Sequence, residues 1–210
     1  MPLLAKESDG IVRQLIPKGT HPARCSGVWD LGTQYNETFN KRQHKIIIQW
    51  EFPKCRIKID GEDLPMVKSK EYTLSLDERS NLRPMLESWR EEAFTAKELK
   101  GFNIKNILGV PCKILILHER NEERDKTYDN ISTISKLLKS ERVDGFSIEP
   151  VYYSIEDHGL NVPESTPDWI KEKIKGSEEY VTLSQGRLTH DRSIPTDDYQ
   201  PPAVDDDIPF

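Results

Sequence analysis

Asp205-Asp206-Asp207-Ile208-Pro209-Phe210 set three negative charges directly before an apolar run that finishes in a phenylalanine and a carboxylate. That order suits capture by another protein: the ring fills an apolar pocket, the carboxylate meets an arginine or lysine at its lip, and the aspartates lie along a basic ridge. Pro209 fixes one backbone angle and lowers the entropy lost on docking. A second chemistry is the gripping of an extended polyanion, which needs cations for phosphates and flat rings for bases, with stacking contributing ~1–3 kcal/mol per base. Tyr35, Phe39, Lys41, Arg42 and His44 gather in one polar stretch, and Arg120, Arg124, Lys126 and Tyr128 in another; Arg24 stands alone within an apolar run. Arg120 and Arg124 are interleaved with Glu119, Glu122, Glu123 and Asp125, so their stretch reads equally as a solvated charged hairpin. Tyr35, Lys41 and Arg42 have fewer acidic neighbours and are the preferred candidates.

Catalytic signatures are missing. There is no GxxxxGK[ST] loop, no HExxH and no GxSxG, and acids such as Asp60, Glu62 and Asp63 fall in a turn, so no enzyme activity, metal or cofactor is expected. Cys25, Cys55 and Cys112 form no CxxC pair, which fits a reduced interior, with Cys25 and Cys112 read as small core residues. The first 19 residues mix acids and bases without a long apolar stretch, so neither a signal peptide nor a membrane anchor is expected and the cytoplasm is the expected location. Charge is unevenly placed: residues 188–210 hold six acids against one base, which is -5 of the formal -6. Residues 17–140 hold 22 Lys+Arg against 18 Asp+Glu, a net of +4, so an acidic pI near 5.5 does not argue against a nucleic-acid partner. The hydrophobic fraction of 35% and mean hydropathy of -0.68 suggest that part of the 210 residues is not folded.

The elements that must position these groups follow from periodicity. Thr20 to Leu31 alternates Ala23, Cys25, Gly27, Trp29 and Leu31 on one face, a strand. Gly32 to Gln43 is polar and reads as a long loop. His44 to Phe52 places Ile46, Ile48, Trp50 and Phe52 on one face of a second strand, with Trp50 and Trp29 as core; after a turn at Asp60 to Asp63, Ser69 to Leu76 is the third. Leu82, Met85, Leu86 and Trp89 at i, i+3, i+4 and i+7 predict a helix over 81–93, and Thr95 with Glu98 caps a shorter one to Lys100. Val110 to His118 and Thr127 to Ile134 are two further strands. Phe146 to Val162 is irregular, and 167–174 is a short helix.

Five strands with one helix between the third and fourth is the element order of an OB-fold, a small barrel that binds single-stranded nucleic acid through one face and its flanking loops. The fold class expected is therefore mainly β with α: a five-stranded OB-fold barrel with a helix between strands 3 and 4, plus a disordered C-terminal tail. The acidic run closed by Ile-Pro-Phe resembles the C-terminal tip of bacterial single-stranded-DNA-binding proteins, through which that family recruits helicases, nucleases and replication-restart proteins. Gly32-Thr33-Gln34, Ser69 to Leu76, Asn81-Leu82-Arg83 and Lys126-Thr127-Tyr128, within residues 20–136, also look like a set of phage-encoded proteins of this kind. The bacterial family's DNA-binding residues do not align here, and none is carried over. The resemblance implies an arm (1–19), an OB-fold single-stranded-DNA-binding domain (20–138), an accessory segment (139–183) and a linker with a recruiting tip (184–210). It also implies DNA coating in replication, recombination or repair, with single-stranded DNA and DNA-processing enzymes as partners and no membrane. Homo-oligomerisation is left open. The alternative is an interaction protein without DNA affinity that mimics the tip to occupy host repair enzymes.

Overall fold

The first strand, β1 (Gly19–Asn36), is apolar on both faces through its middle, and the chain builds a core against each. The computed structural model describes residues 14–37, 40–138, 141 and 145–186. Most of the expected N-terminal arm, Phe39, and the linker and tip from residue 187 lie outside the described residues. β1 pairs antiparallel with β2 (Lys41–Ile59), which turns back as β3 (Glu62–Thr73). On its other edge, Gly19 to Arg24 pair with β4 (Pro111–Asn121), which continues into β5 (Lys126–Lys136). A short sixth strand, β6 (Val151–Tyr153), takes over that edge in parallel at Gly27 to Trp29.

The structure is thus mainly β, with an antiparallel sheet in the order β3-β2-β1-β4-β5. Among the described residues no backbone ladder joins β3 to β5, so the sheet is not closed. Its two edges meet through side chains instead. Lys68 Nζ lies 2.5 Å from Asp129 Oδ1, and Lys70 donates to the Ile131 carbonyl at 3.5 Å.

Inside the curl, Cys25 and Val28 of β1, Ile46, Ile48, Trp50 and Phe52 of β2, and Cys112, Ile114 and Ile116 of β4 form the larger core. Helix α1 (Leu82–Arg90) covers its open side with Leu82, Leu86 and Trp89, all on one stripe, and Trp50 and Trp89 meet with ring centroids 6.1 Å apart. Ser88 Oγ donates to the Ile134 carbonyl at 2.6 Å, which supplies a partner on β5's edge. The helix stops three residues earlier than its pattern predicts because Glu91 adopts the left-handed conformation, φ 58°. The expected helix from Thr95 is a single 3₁₀ turn, Glu98–Lys100. Its capping contacts form all the same: Thr95 N donates to Glu98 Oε2 at 2.7 Å and Glu98 N to Thr95 Oγ1 at 3.3 Å. Glu98 also accepts from buried Arg90 at 2.5 Å, so its carboxylate anchors the turn to α1 rather than starting a longer helix.

Three sequence expectations need correction. Strict alternation put Trp29 and Leu31 on the face of Cys25, but the register shifts between Cys25 and Gly27, and the bulge re-aims the side chains beyond it. Trp29 and Leu31 therefore face outward, and the Trp29 ring lies so close over Gly27 that a Cβ there would come within 2.0 Å of it. The supposed loop from Gly32 to Gln43 is mostly ladder, with Thr33 paired to His44 and Asn36 to Lys41; its polarity reflects exposure, not absence of pairing. The third strand starts at Glu62, because Asp60 and Gly61, with φ of 51° and 89°, make the two-residue turn that suits a twisted hairpin.

The outward face of β1 and β2 carries the second core. Trp29, Leu31 and Ile47 pack against Tyr153 and Ile155 at the end of β6 and the start of α2 (Ile155–His158), and against Ile170 and Ile174 of α3 (Asp168–Lys175). Trp29 Nε1 donates to Thr166 Oγ1 at 2.9 Å. Each of these side chains contributes ~1.5–3 kcal/mol by leaving water. A further helix, α4 (Glu178–Ser184), closes over Gly32, whose φ of 61° and position 2.6 Å (measured from a built Cβ) from the Glu179 carboxylate leave no room for a side chain. The described part of the segment read as accessory is therefore a layer of the fold. No helix among the described residues is long and apolar enough to cross a membrane.

Candidate nucleic-acid interface

The sequence candidates do not converge at one end of the sheet. Tyr35, Lys41 and Arg42 sit on the β1–β2 hairpin, whereas the β4–β5 hairpin with Arg120, Arg124, Lys126 and Tyr128 lies past Gly19, which pairs with Ile116. The two hairpins occupy opposite ends of an 18-residue strand.

At the first hairpin, Tyr35 is 55% exposed and donates to Asn40 Oδ1 at 2.7 Å. Arg42 pairs with Glu178 of α4 at 2.7 Å, with both side chains at least half exposed, so a phosphate could replace the glutamate at small cost. Lys41 is exposed and has no carboxylate partner among the described residues. The second hairpin braces itself: Arg120 pairs with Asp125 at 2.6 Å, and the Arg124 amide donates to Asn121. Lys126 is exposed, and Tyr128 is half buried opposite Glu119. Arg24 is withdrawn from any groove. It donates to Glu51 Oε2 at 2.9 Å and to the Ile148 carbonyl at 2.5 Å, and its guanidinium lies 4.7 Å over the Phe146 ring.

Three adjoining hollows follow the second half of β3, from Lys68 to Thr73. The first, about 350 Å³, lies between Lys68 and Lys70 of β3 and Glu119 and Asn130 of the facing hairpin. The second, about 380 Å³, shares Lys70 and Ile131 with it and adds Tyr72, Asn81 and Thr133. The third, about 480 Å³, shares Tyr72 and Asn81 and opens onto Lys41, Lys45, Thr73 and Arg79, with the acids Glu71 and Asp77 also in its wall. Lys45 donates to Thr73 Oγ1 at 2.9 Å, and the Lys70 ammonium sits 5.6 Å from the Tyr72 ring centre; neither lysine has a carboxylate partner among the described residues. Lys68 is bound to Asp129. Burial pushes that carboxyl up, but the Lys68 ammonium and the Ile16 amide outweigh burial and hold it below the usual range. A continuous track with spaced lysines can neutralise successive phosphates of an extended strand.

Of this track only Lys41 was a sequence candidate. Lys45, Lys68 and Lys70 were missed, although Lys68, Lys70 and Tyr72 alternate onto one side of a strand. Two lysines on the core-facing side are tolerable only at an open edge, and that was the available signal. His21 Nδ1 approaches Cys55 Sγ at 3.5 Å, and among the described residues no three His, Cys, Asp or Glu side chains gather as a metal site would need.

A further hollow, about 550 Å³ and lined by Asp30, His44, Glu156, Glu178 and Glu179, lies where the C-terminal helices meet the hairpin. His44 Nε2 is 2.6 Å from Asp30 Oδ1, and this bond, aided by the charge of Glu179, holds the imidazole above its ordinary 6.5 despite partial burial. Burial would raise Asp30, but His44, the Gly32 amide and the Ile155 amide lower it. The histidine's contribution is complete below pH 6.5 and is lost as pH rises through its raised folded value; that of Asp30 is lost as pH falls through its lowered one. Melting temperature should therefore drop between about pH 6 and about pH 8 more for the wild type than for His44→Gln. Parallel profiles would show that the pair does not couple the helices to the sheet.

Comparison of the chain with protein-family models, with curated proteins and with solved structures finds no match.

Proposed function

We propose that the chain is an OB-fold single-stranded-DNA-binding protein that coats DNA through the β3 track and recruits DNA-processing enzymes through its C-terminal tip. One observation carries the reading: the strand path β3-β2-β1-β4-β5, with a helix between β3 and β4 and with β3 and β5 brought edge to edge, follows the strand order of an OB-fold barrel. The tip lies outside the described residues, and its role rests on its likeness to the bacterial tips.

The test is oligo-dT affinity across a salt series. Lys41→Ala with Lys45→Ala should weaken binding about tenfold at low salt and lower the slope of log K against log salt by ~1.4, since single strands release ~0.7 counterion per phosphate neutralised. A second reading draws on the internal pairing of several cations, Lys68 with Asp129, Arg42 with Glu178 and Arg120 with Asp125. In it the chain has no DNA affinity and only occupies enzymes through the tip. Wild-type protein that fails to bind oligo-dT at any salt would favour that reading.

A further inference from the structure

We propose that Trp169, contributed by the C-terminal layer, is a base-stacking wall of the nucleic-acid groove; this rests on the single-stranded-DNA-binding reading above. Of the four tryptophans, Trp29, Trp50 and Trp89 are each at most 1% exposed, while Trp169 is 51% exposed. A large flat ring held half in water on an ordered helix offers a face on which a base can stack.

Its position follows from the contacts at either end of α3. Pro167 lines a hollow with Trp29 and Gln49, over the outward face of β1 and β2. Lys173 Nζ reaches Glu71 Oε2 of β3 at 2.5 Å. Trp169 lies between these anchors and four residues before Lys173, so both stand on the same stripe of the helix, while Ile170 and Ile174 turn into the second core. The ring therefore stands beside the outward face of the β2–β3 ladder, where Gln49 pairs with Ser69 and Lys45 with Thr73. Between these two pairs Glu71, already held by Lys173, pairs with the buried Ile47, and the floor is otherwise polar. It continues into the hollow holding Lys41 and Lys45 at the β1–β2 hairpin. An aromatic wall, a shallow floor and cations at the hairpin fit one occupant, a single strand of nucleic acid with a base on the ring and its phosphates along Lys45 and Lys41.

The full chain is titrated with dye-labelled oligo-dT, with dye anisotropy and tryptophan fluorescence read together. Because Trp169 is the exposed tryptophan, stacking should quench the protein's emission in step with binding. Trp169→Phe should lose the quench and keep affinity within about threefold, and Trp169→Ala should weaken binding roughly 5- to 150-fold at unchanged melting temperature, the range that loss of one stacking contact spans. Wild-type binding without quenching, or an alanine variant with unaltered affinity, would remove Trp169 from the groove and leave the DNA-binding reading standing. An alanine variant that changes only the sedimentation coefficient would make this face a contact between copies of the chain and overturn the inference. Absence of any wild-type binding would bring down both.

Discussion

Replacing Glu51 by alanine is expected to cost about 3–5 kcal/mol of folding free energy, a large share of the ~5–15 kcal/mol that a domain possesses. Glu51 is fully buried, and each of its oxygens is occupied. Oε2 accepts from Arg24 at 2.9 Å, while Oε1 accepts from the Ser147 amide at 2.6 Å and the Ile148 amide at 3.2 Å. Alanine would leave a mostly buried guanidinium without its counter-charge and two amides without acceptors. Removing one partner of such a pair is costly even where the pair itself adds little net stability. In urea the midpoint should fall by about 1–5 M at an m-value of ~1–3 kcal/mol/M. Glu51→Gln, which keeps acceptor capacity, should lose less. An alanine variant within ~0.5 kcal/mol of wild type would mean that Arg24 regains water freely, and that the irregular segment at residues 145–150 is not tied to the sheet through this residue.

The other large effect concerns recruitment. Deleting Phe210 takes away the ring and moves the terminal carboxylate onto Pro209, so both anchors of the proposed tip are lost together. Truncating a central aromatic anchor typically costs ~2–4 kcal/mol, which is roughly 30- to 1000-fold in affinity. Calorimetry with a helicase or nuclease that reads such tips should therefore show capture by the full chain and none by the truncated one, with oligo-dT affinity unchanged. Equal heats from the two proteins would make the tip's likeness to the bacterial one accidental.

Long-period signals were legible and local irregularities were not. The apolar stripe of α1 identified Leu82, Leu86 and Trp89 because a 3.6-residue period survives over several turns. Trp29 was assigned to the wrong face since a bulge reverses the side chains after it, and its one signal, Gly27 within the strand, was read only as part of the alternation. The polar ladder from Thr33 to Asn36 passed for a loop for a related reason: hydrophobic alternation marks burial, and this part of the hairpin projects into water. β6 is three residues long, too short for any period, and its pairing with β1 depends on the bend that frees β1's edge from β4 after Arg24. Among the site residues, Lys41 could be found in a run of cations. Lys45 and Lys70 belong to the track only because the fold lays β3 along an open seam, a relation between strands distant in sequence.

The bonds that fasten the C-terminal layer to β1 join residues far apart in the chain: Asp30 to Ile155 across 125 positions, Trp29 to Thr166 across 137, and Thr33 to Glu179 across 146. Hairpins such as β2–β3 can zip from their turns within microseconds, but these closures must wait for a long loop to be drawn in. Folding should accordingly be slow for its size and pass through a stage in which the sheet has formed while Trp29, Leu31 and Ile47 still face water. On a ribosome adding ~5–20 residues per second, that stage lasts at least as long as synthesis takes to travel from β5 to α3, a matter of seconds. During that interval the nascent chain is at its stickiest, and it is the period in which a chaperone would have most to bind.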